Sequence, residues 1–178
     1  MRILIVEDEI KIRMGISRLI SAHTQHTVVG EAKNGKEGLE MISRFHPELV
    51  ISDIRMPVMD GLEMLQESVK MGNTCHFVIL SGYSEFEYAQ TAIRYGVDDY
   101  LLKPLAPEDV TQLLDKIQKK IDQEEAENIN CKLQNLQKEL EQIQEHLQKA
   151  QTREQTIRTL ELAEADYIKV QEQGEKIQ

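Results

Sequence analysis

Cysteine is scarce in this sequence, and long hydrophobic runs are missing. The two cysteines, Cys75 and Cys131, lie far apart, so the sequence indicates neither a disulfide framework nor a cysteine metal site, and a reducing cytoplasm is the expected location. No apolar stretch approaches the roughly 20 residues of a membrane span. The apolar run that follows Met1 and Arg2 is too short for a signal peptide.

Basic residues are outnumbered and do not cluster. The chain has 21 Lys and Arg against 31 Asp and Glu, which gives a net charge of -10. A protein that binds the phosphate backbone needs a concentrated Lys/Arg face. Because the basic residues here alternate with acids, we expect no direct binding of nucleic acid by these residues.

Proline and glycine almost disappear from the second part of the chain. After Pro107 there is no proline and the only glycine is Gly174, and the composition shifts to Gln, Glu, Lys and Leu, as in a long helix. We therefore expect two parts: a domain over residues 1–120 with a core of its own, and a helical coiled-coil segment for dimerisation or linkage over residues 121–178. The chain ends in mid-pattern, and we expect it to be the N-terminal portion of a longer protein.

The first part alternates between strand-like and helical patterns. Apolar residues also recur at helical spacing between the strand-like runs. This alternation predicts an α/β fold, a five-stranded parallel doubly wound sheet of flavodoxin-like order. The five predicted strands are Ile3–Val6, Thr27–Ala32, Leu49–Ser52, His76–Leu80 and Asp99–Leu102.

Charged and hydroxyl side chains stand where these strands should end. Glu7 and Asp8 follow the first run, Asp53 the third, Ser81 the fourth and Lys103 the fifth. The carboxyl ends of parallel strands meet at one crevice, so we expect these side chains to lie together. Carboxylates there suit Mg²⁺, an Asp can act as a nucleophile toward phosphorus, and a lysine can stabilise the developing charge.

The same residues resemble the response-regulator receiver (CheY-like) domain of two-component signalling. The resemblance covers essentially all of residues 1–120 and rests on motifs in the family's order and spacing: Glu7-Asp8, Asp53 with Met56-Pro57 and Asp60-Gly61, Ser81-Gly82, and Tyr100 to Pro104.

The resemblance assigns a role to each site residue. It implies that Asp53 accepts a phosphoryl group from a sensor histidine kinase, and that Mg²⁺ is held by Asp8, Asp53 and the backbone carbonyl of Arg55. Three further roles follow from it: Glu7 assists the metal through water, Lys103 contacts the phosphoryl group, and Ser81 with Tyr100 forms the switch pair. It also implies a cis Lys103–Pro104 bond. Such a chain is a phosphoacceptor rather than an enzyme.

Two segments resemble more narrowly the receivers of AraC-type (YesN-like) regulators. They are the run from Ser81 to Ala89 and the run from Asp53 to Pro57. This resemblance implies control of transcription through an output domain that these residues do not contain.

Three alternatives compete with a phosphorylation-controlled switch, which the residues favour. A haloacid-dehalogenase-like phosphotransferase also uses an Asp at a strand end, but it needs a second Asp two residues later, where this chain has Arg55. A flavodoxin-like binder needs a first loop that accepts a phosphate, and Glu7-Asp8-Glu9 would repel one. A stand-alone phospho-switch that binds a partner protein is the third.

Apolar residues in the second part step by alternating threes and fours, as in a coiled-coil seam. A lone helix would leave this stripe in water, so we expect a homodimer, with the parallel orientation favoured. The seam weakens where Glu161 and Glu164 take seam positions. Its residues are Ala126, Ile129, Leu133, Leu136, Leu140, Ile143, Leu147 and Ala150.

Overall fold

The fold is seen in a computed structural model of the chain. It describes residues 1–82, 92 and 94–175, with side chains up to residue 166. The strands are β1 (Arg2–Val6), β2 (Thr27–Ala32), β3 (Leu49–Asp53), β4 (His76–Ser81) and β5 (Asp99–Leu102). The helices are α1 (Ile10–His23), α2 (Gly35–Phe45), α3 (Gly61–Lys70) and α4 (Pro107–Glu175).

All five strands form one parallel sheet in the order β2-β1-β3-β4-β5. Strands β1, β3 and β4 occupy the middle and are buried on both faces, which is why they read as continuous apolar runs rather than alternating ones. The predicted α/β fold with flavodoxin-like strand order is confirmed.

Successive residues of β1 point to opposite faces and build two cores. Ile3 and Ile5 pack in one core with Ile16 and Ile20 of α1 and with five residues from the first turns of α4. Leu4 and Val6 pack on the other face with α2 and α3. Helices on both faces therefore cover the sheet and leave the strand ends open.

The junction from β3 to α3 is tightly built around Asp60 and Gly61. The Asp60 side chain accepts a hydrogen bond from the Glu63 backbone N–H at 2.7 Å, and the Glu63 carboxylate accepts one from the Asp60 N–H at 3.1 Å. These two reciprocal hydrogen bonds form a capping box. The Gly61 N–H donates to the carbonyl of Ile54 at 2.8 Å, which holds the start of α3 against the end of β3.

The predicted strands agree closely with the observed ones. The bounds of β2 and β5 are as predicted, β1 begins one residue earlier, and β3 and β4 each extend one residue further, to Asp53 and Ser81. Val69 has the helical spacing of Leu62 and Leu65 but is 52% exposed, whereas Ser68, in the same last turn of α3, is buried. The motif residues from 83 to 89 and the predicted helical residues Ala89 and Ile93 lie outside the described residues.

The chain divides into two compact units, Met1–Asp122 and Gln123–Gln178. In the first unit α4 buries Val110, Leu113, Leu114, Ile117 and Ile121 against the sheet. In the second unit the predicted seam residues are solvent-exposed, with leucine and isoleucine side chains between 51% and 61% exposed from Ile129 to Leu147. Within the described residues, no helix has the length and apolarity needed to span a bilayer.

Candidate functional site

The carboxyl ends of the strands bring four of the predicted site residues together. Glu7 and Asp8 follow β1, Asp53 is the last residue of β3, and Lys103 follows β5. One carboxylate oxygen from each of Glu7, Asp8 and Asp53 lies within 4.8 Å of the others. Glu7 is buried, Asp53 is half-buried and Asp8 is exposed, so the cluster is open to solvent on the Asp8 side.

Lys103 lies against two of these acids. Its Nζ is 2.5 Å from Glu7 Oε2 and 3.0 Å from Asp53 Oδ2. Burial raises the pKa of Glu7, and the hydrogen bond from Lys103 offsets this only in part. Burial alone would lower the pKa of Lys103, but its hydrogen bond to Glu7 and the charge of Asp53 raise it overall. Lys103 is therefore held as a cation between the two carboxylates.

Backbone contacts fix the position of Asp53. Its Oδ1 accepts a hydrogen bond from the Ile54 N–H at 2.8 Å, while its own carbonyl accepts one from the buried Ser52 hydroxyl at 2.8 Å. A Cβ on Gly61 would lie only 2.0 Å from that carbonyl oxygen. Glycine is therefore required where α3 starts. With Oδ1 bound to the Ile54 N–H, the second oxygen, Oδ2, lies against Lys103.

The other predicted site residues have different contacts. Ser81 ends β4, and its hydroxyl donates to the Gly82 carbonyl at 2.8 Å. Tyr100, in β5, is half-buried and packs against the small core that contains Ile54 and Ile79. Arg55 is exposed, two residues beyond Asp53.

The backbone at the end of β5 has two features of note. The Lys103–Pro104 peptide is cis, as the resemblance implied. The Lys103 backbone N–H also donates to the Ser81 carbonyl at 2.7 Å. The strand end that carries Lys103 is thus joined by its backbone to the strand end that carries Ser81.

Sequence reasoning missed Arg13, which contacts the backbone of the acidic loop. Its Nη1 donates to the carbonyl of Glu7 at 2.5 Å and to that of Asp8 at 3.3 Å. No general sequence motif predicts that an arginine will bind backbone carbonyls. The available signal was its position, because the first turn of α1 lies directly after the two acids.

The donor set suits a hard divalent cation. Mg²⁺ prefers oxygen ligands and commonly takes one or two protein carboxylates together with water. Asp8 and Asp53 can supply those carboxylates, and the open side at Asp8 leaves room for water. Three acids against the single charge of Lys103 leave an excess of negative charge, which a divalent cation would offset. The residues present therefore fit Mg²⁺.

Comparison with known proteins identifies the family. Residues 3–115 match the model of the response regulator receiver domain, and these residues contain the entire strand-end cluster. The chain belongs to the response-regulator receiver family, as the resemblance of its motifs predicted.

Individual relatives point the same way. The chain is 38% identical over 117 residues to the transcriptional regulatory protein YesN of Bacillus subtilis, a match that covers 65% of this chain and 32% of YesN. It is 38% identical over 112 residues to the nitrate/nitrite response regulator protein NarL of Escherichia coli, covering 63% of this chain and 52% of NarL. The chain thus spans between about a third and about half of the length of these curated relatives, which are regulators rather than enzymes.

A solved structure shows the same fold. The receiver (REC) domain of AraT, a response regulator from Geobacillus stearothermophilus, superimposes with a TM-score of 0.63 at 39% identity. The match covers 70% of this chain and 97% of the AraT domain. The match to YesN agrees with the narrower resemblance seen in the run from Asp53 to Pro57.

Proposed function

We propose that this chain is a phosphorylation-controlled switch in which Asp53 accepts a phosphoryl group from a sensor histidine kinase in the presence of Mg²⁺. The observation that carries the proposal is the position of Asp53, half-buried within the acidic cluster and 3.0 Å from the Lys103 ammonium. A nucleophilic carboxylate needs a nearby cation for the charge that develops on the phosphoryl oxygens.

Each residue of the cluster has its own proposed role in the transfer of the phosphoryl group. A carboxylate oxygen of Asp53 attacks phosphorus and forms an acyl phosphate, while the bond from phosphorus to the donor breaks and its electron pair leaves with the donor. Asp8, Asp53 and the carbonyl of Arg55 would hold Mg²⁺, with Glu7 assisting through water. When bound, Mg²⁺ neutralises charge on the transferred group. Lys103, 3.0 Å from Asp53, would stabilise the charge on the phosphoryl oxygens.

Ser81 and Tyr100 form the proposed switch pair. In the described state the Ser81 hydroxyl is bonded to Gly82, and it would exchange this partner for a phosphoryl oxygen. The ring of Tyr100 already packs on the core of Ile54 and Ile79, so an inward turn of the ring would change the surface of β5. The phosphorylation state of Asp53 would in this way reach the outer face of the domain.

The output of the switch would pass through the helical segment. We assign residues 1–120 to the receiver and residues 121–178 to a coiled-coil segment that forms a homodimer, parallel in its favoured orientation. The exposed stripe from Ile129 to Leu147 supports this assignment, because apolar side chains at heptad spacing become buried when two helices pair. DNA would be bound by an output domain that these residues do not contain, so that the switch controls transcription.

A small phosphodonor tests the phosphoacceptor proposal without the kinase. Incubation with acetyl phosphate and Mg²⁺ should place a phosphoryl group on the peptide that contains Asp53, and a chelator should abolish the labelling. Labelling that persists after complete removal of divalent cations would refute the role of Mg²⁺. Labelling on another residue would refute the assignment of Asp53.

A further inference from the structure

Arg13 is an arginine on a helix surface whose guanidinium turns back toward the loop before the helix. Its side chain is only 15% exposed. Nη1 donates to the carbonyl oxygens of Glu7 and Asp8, and Nε lies 3.6 Å from Glu31 Oε2. One side chain therefore joins the loop after β1, the start of α1 and the end of β2.

Apart from the contact of Lys103 with the Glu7 carboxylate, the loop that carries the two acids has few other ties. The Glu7 N–H donates to the carbonyl of Ala32 at 3.0 Å, and the Glu9 N–H donates to Glu7 Oε1 at 3.3 Å. For the carbonyls of Glu7 and Asp8, the hydrogen bonds seen in the described residues come from Arg13. The direction of both acidic side chains depends on the orientation of these two peptide groups.

The chemistry of arginine matches this task. A guanidinium presents several N–H donors in a rigid plane, so it can bind two carbonyls and a carboxylate at once. Hydrogen bonds from a charged donor are stronger than neutral ones, more so where the donor is shielded from water. Glu31 orients the guanidinium from β2, in the way that groups behind a metal ligand commonly orient it.

We propose that Arg13 is a positioning residue, which holds Glu7 and Asp8 in the geometry needed for a divalent cation. The inference rests on the proposed function, because it assumes that the cluster binds such a cation. Arg13 acts through the loop backbone and does not itself touch the cation.

The positioning role and simple electrostatics predict opposite changes in the affinity for the cation when Arg13 is removed. Arg13 is positive and lies beside an acidic cluster, so removing its charge without changing the loop should make cation binding tighter. If Arg13 positions the two acids, its removal should make cation binding weaker, because the ligands lose their alignment. The direction of the change separates the two explanations.

The test is the affinity of the full chain for the metal alone, with no phosphodonor. Mg²⁺ binding is measured by calorimetric titration, and Mn²⁺ binding by the paramagnetic resonance of the free ion, well below the melting temperature of each variant. Arg13→Gln should weaken binding about tenfold or more, the range seen when groups behind a metal ligand are removed. Arg18→Gln is the matched control: it removes the same charge from an exposed position of the same helix and should leave the affinity within about twofold of the native value.

Arg13→Lys keeps the charge but loses the planar fork. Positioning predicts weaker binding in this variant as well, whereas an electrostatic role predicts no change. The lysine variant also keeps the test decisive if Arg13→Gln does not fold. Tighter or unchanged cation binding in the Arg13 variants overturns the inference. A variant that has a lower melting temperature but unchanged affinity overturns it as well. Absence of cation binding by the native chain would instead refute the metal-dependent function itself.

Discussion

The ammonium of Lys103 lies 2.5 Å from a carboxylate oxygen of Glu7, a side chain with no exposed surface. The same ammonium is 3.0 Å from Asp53. Lys103 thus balances the charge of a buried acid and also contacts the proposed phosphoacceptor. Stability and chemistry are linked at this residue, and the link can be tested by removing either partner.

Replacing Lys103 should destabilise the receiver, because Glu7 would be left buried without its cation. We expect Lys103→Gln to lower the free energy of unfolding by about 3 kcal/mol, measured by urea denaturation at neutral pH with a chelator present. Adding Glu7→Gln should recover part of the loss, since the double variant has no unpaired buried charge. If Lys103→Gln unfolds at the same urea concentration as the native chain, the pair does not stabilise the fold.

A second buried acid, Asp98, should make stability depend on pH. Its carboxylate accepts hydrogen bonds from Lys120 at 2.6 Å, from His76 at 2.9 Å and from the Phe77 N–H at 2.8 Å. Burial alone would raise the pKa of Asp98, but these partners outweigh it and hold the pKa below the ordinary value of 3.8. Its stabilising contribution is therefore complete above that value and is lost as the pH falls through the folded-state pKa.

We expect Asp98→Asn to cost about 2 kcal/mol at neutral pH, and the difference from the native chain should shrink as the solution is acidified. The matched control is Asp99→Asn. Asp99 pairs with Lys116, whose side chain is 65% exposed, so losing this ion pair should cost no more than about 1 kcal/mol. Urea unfolding curves over a pH series measure both variants. If the difference in the free energy of unfolding between the native chain and Asp98→Asn stays constant with pH, the pKa of Asp98 is not lowered in the folded state.

Two glycines should respond to alanine in opposite ways. At Gly61 a Cβ would lie 2.0 Å from the Asp53 carbonyl, whereas at Gly15, in the middle of α1, it would meet nothing within 4 Å. Gly61→Ala should destabilise the fold by about 3 kcal/mol through overpacking, and Gly15→Ala should stabilise it by about 1 kcal/mol through helix propensity. Thermal melts of the two variants provide the comparison. Equal effects would show that the start of α3 can move away from Asp53.

Self-association should depend on the apolar seam of α4. Leu136 and Leu140 are 61% and 55% exposed in the single chain, and each would contribute about 2 kcal/mol or more per side chain when buried in a dimer. The double variant Leu136→Gln/Leu140→Gln should be monomeric by light scattering at concentrations where the native chain is dimeric.

Leu160 and Leu162 provide the control for that experiment. They are exposed residues of the same helix but lie outside the seam, so the same exchange at both should leave the dimer intact. A native chain that has the mass of a monomer at high concentration would rule out the homodimer.

The three central strands, β1, β3 and β4, could be predicted from the sequence because they are buried on both faces. Such strands are uninterrupted apolar runs, and each run ends where a charged or polar residue meets the open crevice. The bounds of β2 and β5 agree with the pattern, and Asp53 and Ser81 extend two other strands by a single residue. The burial of individual helical side chains was harder to predict than the face on which they lie. Val69 is exposed although it shares the spacing of Leu62 and Leu65, because periodicity identifies a helical face but not how far the core reaches along it.

The acids of the candidate site could be predicted because strand ends converge, but their supporting contacts could not. Arg13 binds backbone carbonyls, and Asp98 joins the starts of two strands to α4 through Lys120. Such contacts depend on which loops lie side by side, and no residue spacing encodes that. The role of Ser81 likewise depends on a hydroxyl whose partner, Gly82, becomes evident only in the structure.

The most direct test of the central claim is intact-mass and peptide mapping of the chain after exposure to acetyl phosphate and Mg²⁺. Asp60→Asn is a suitable control, because Asp60 caps α3 close to Asp53 in sequence and asparagine still caps a helix. The account predicts one phosphoryl group in the native chain and in Asp60→Asn, and none in Asp53→Asn. Undiminished labelling of Asp53→Asn would contradict it.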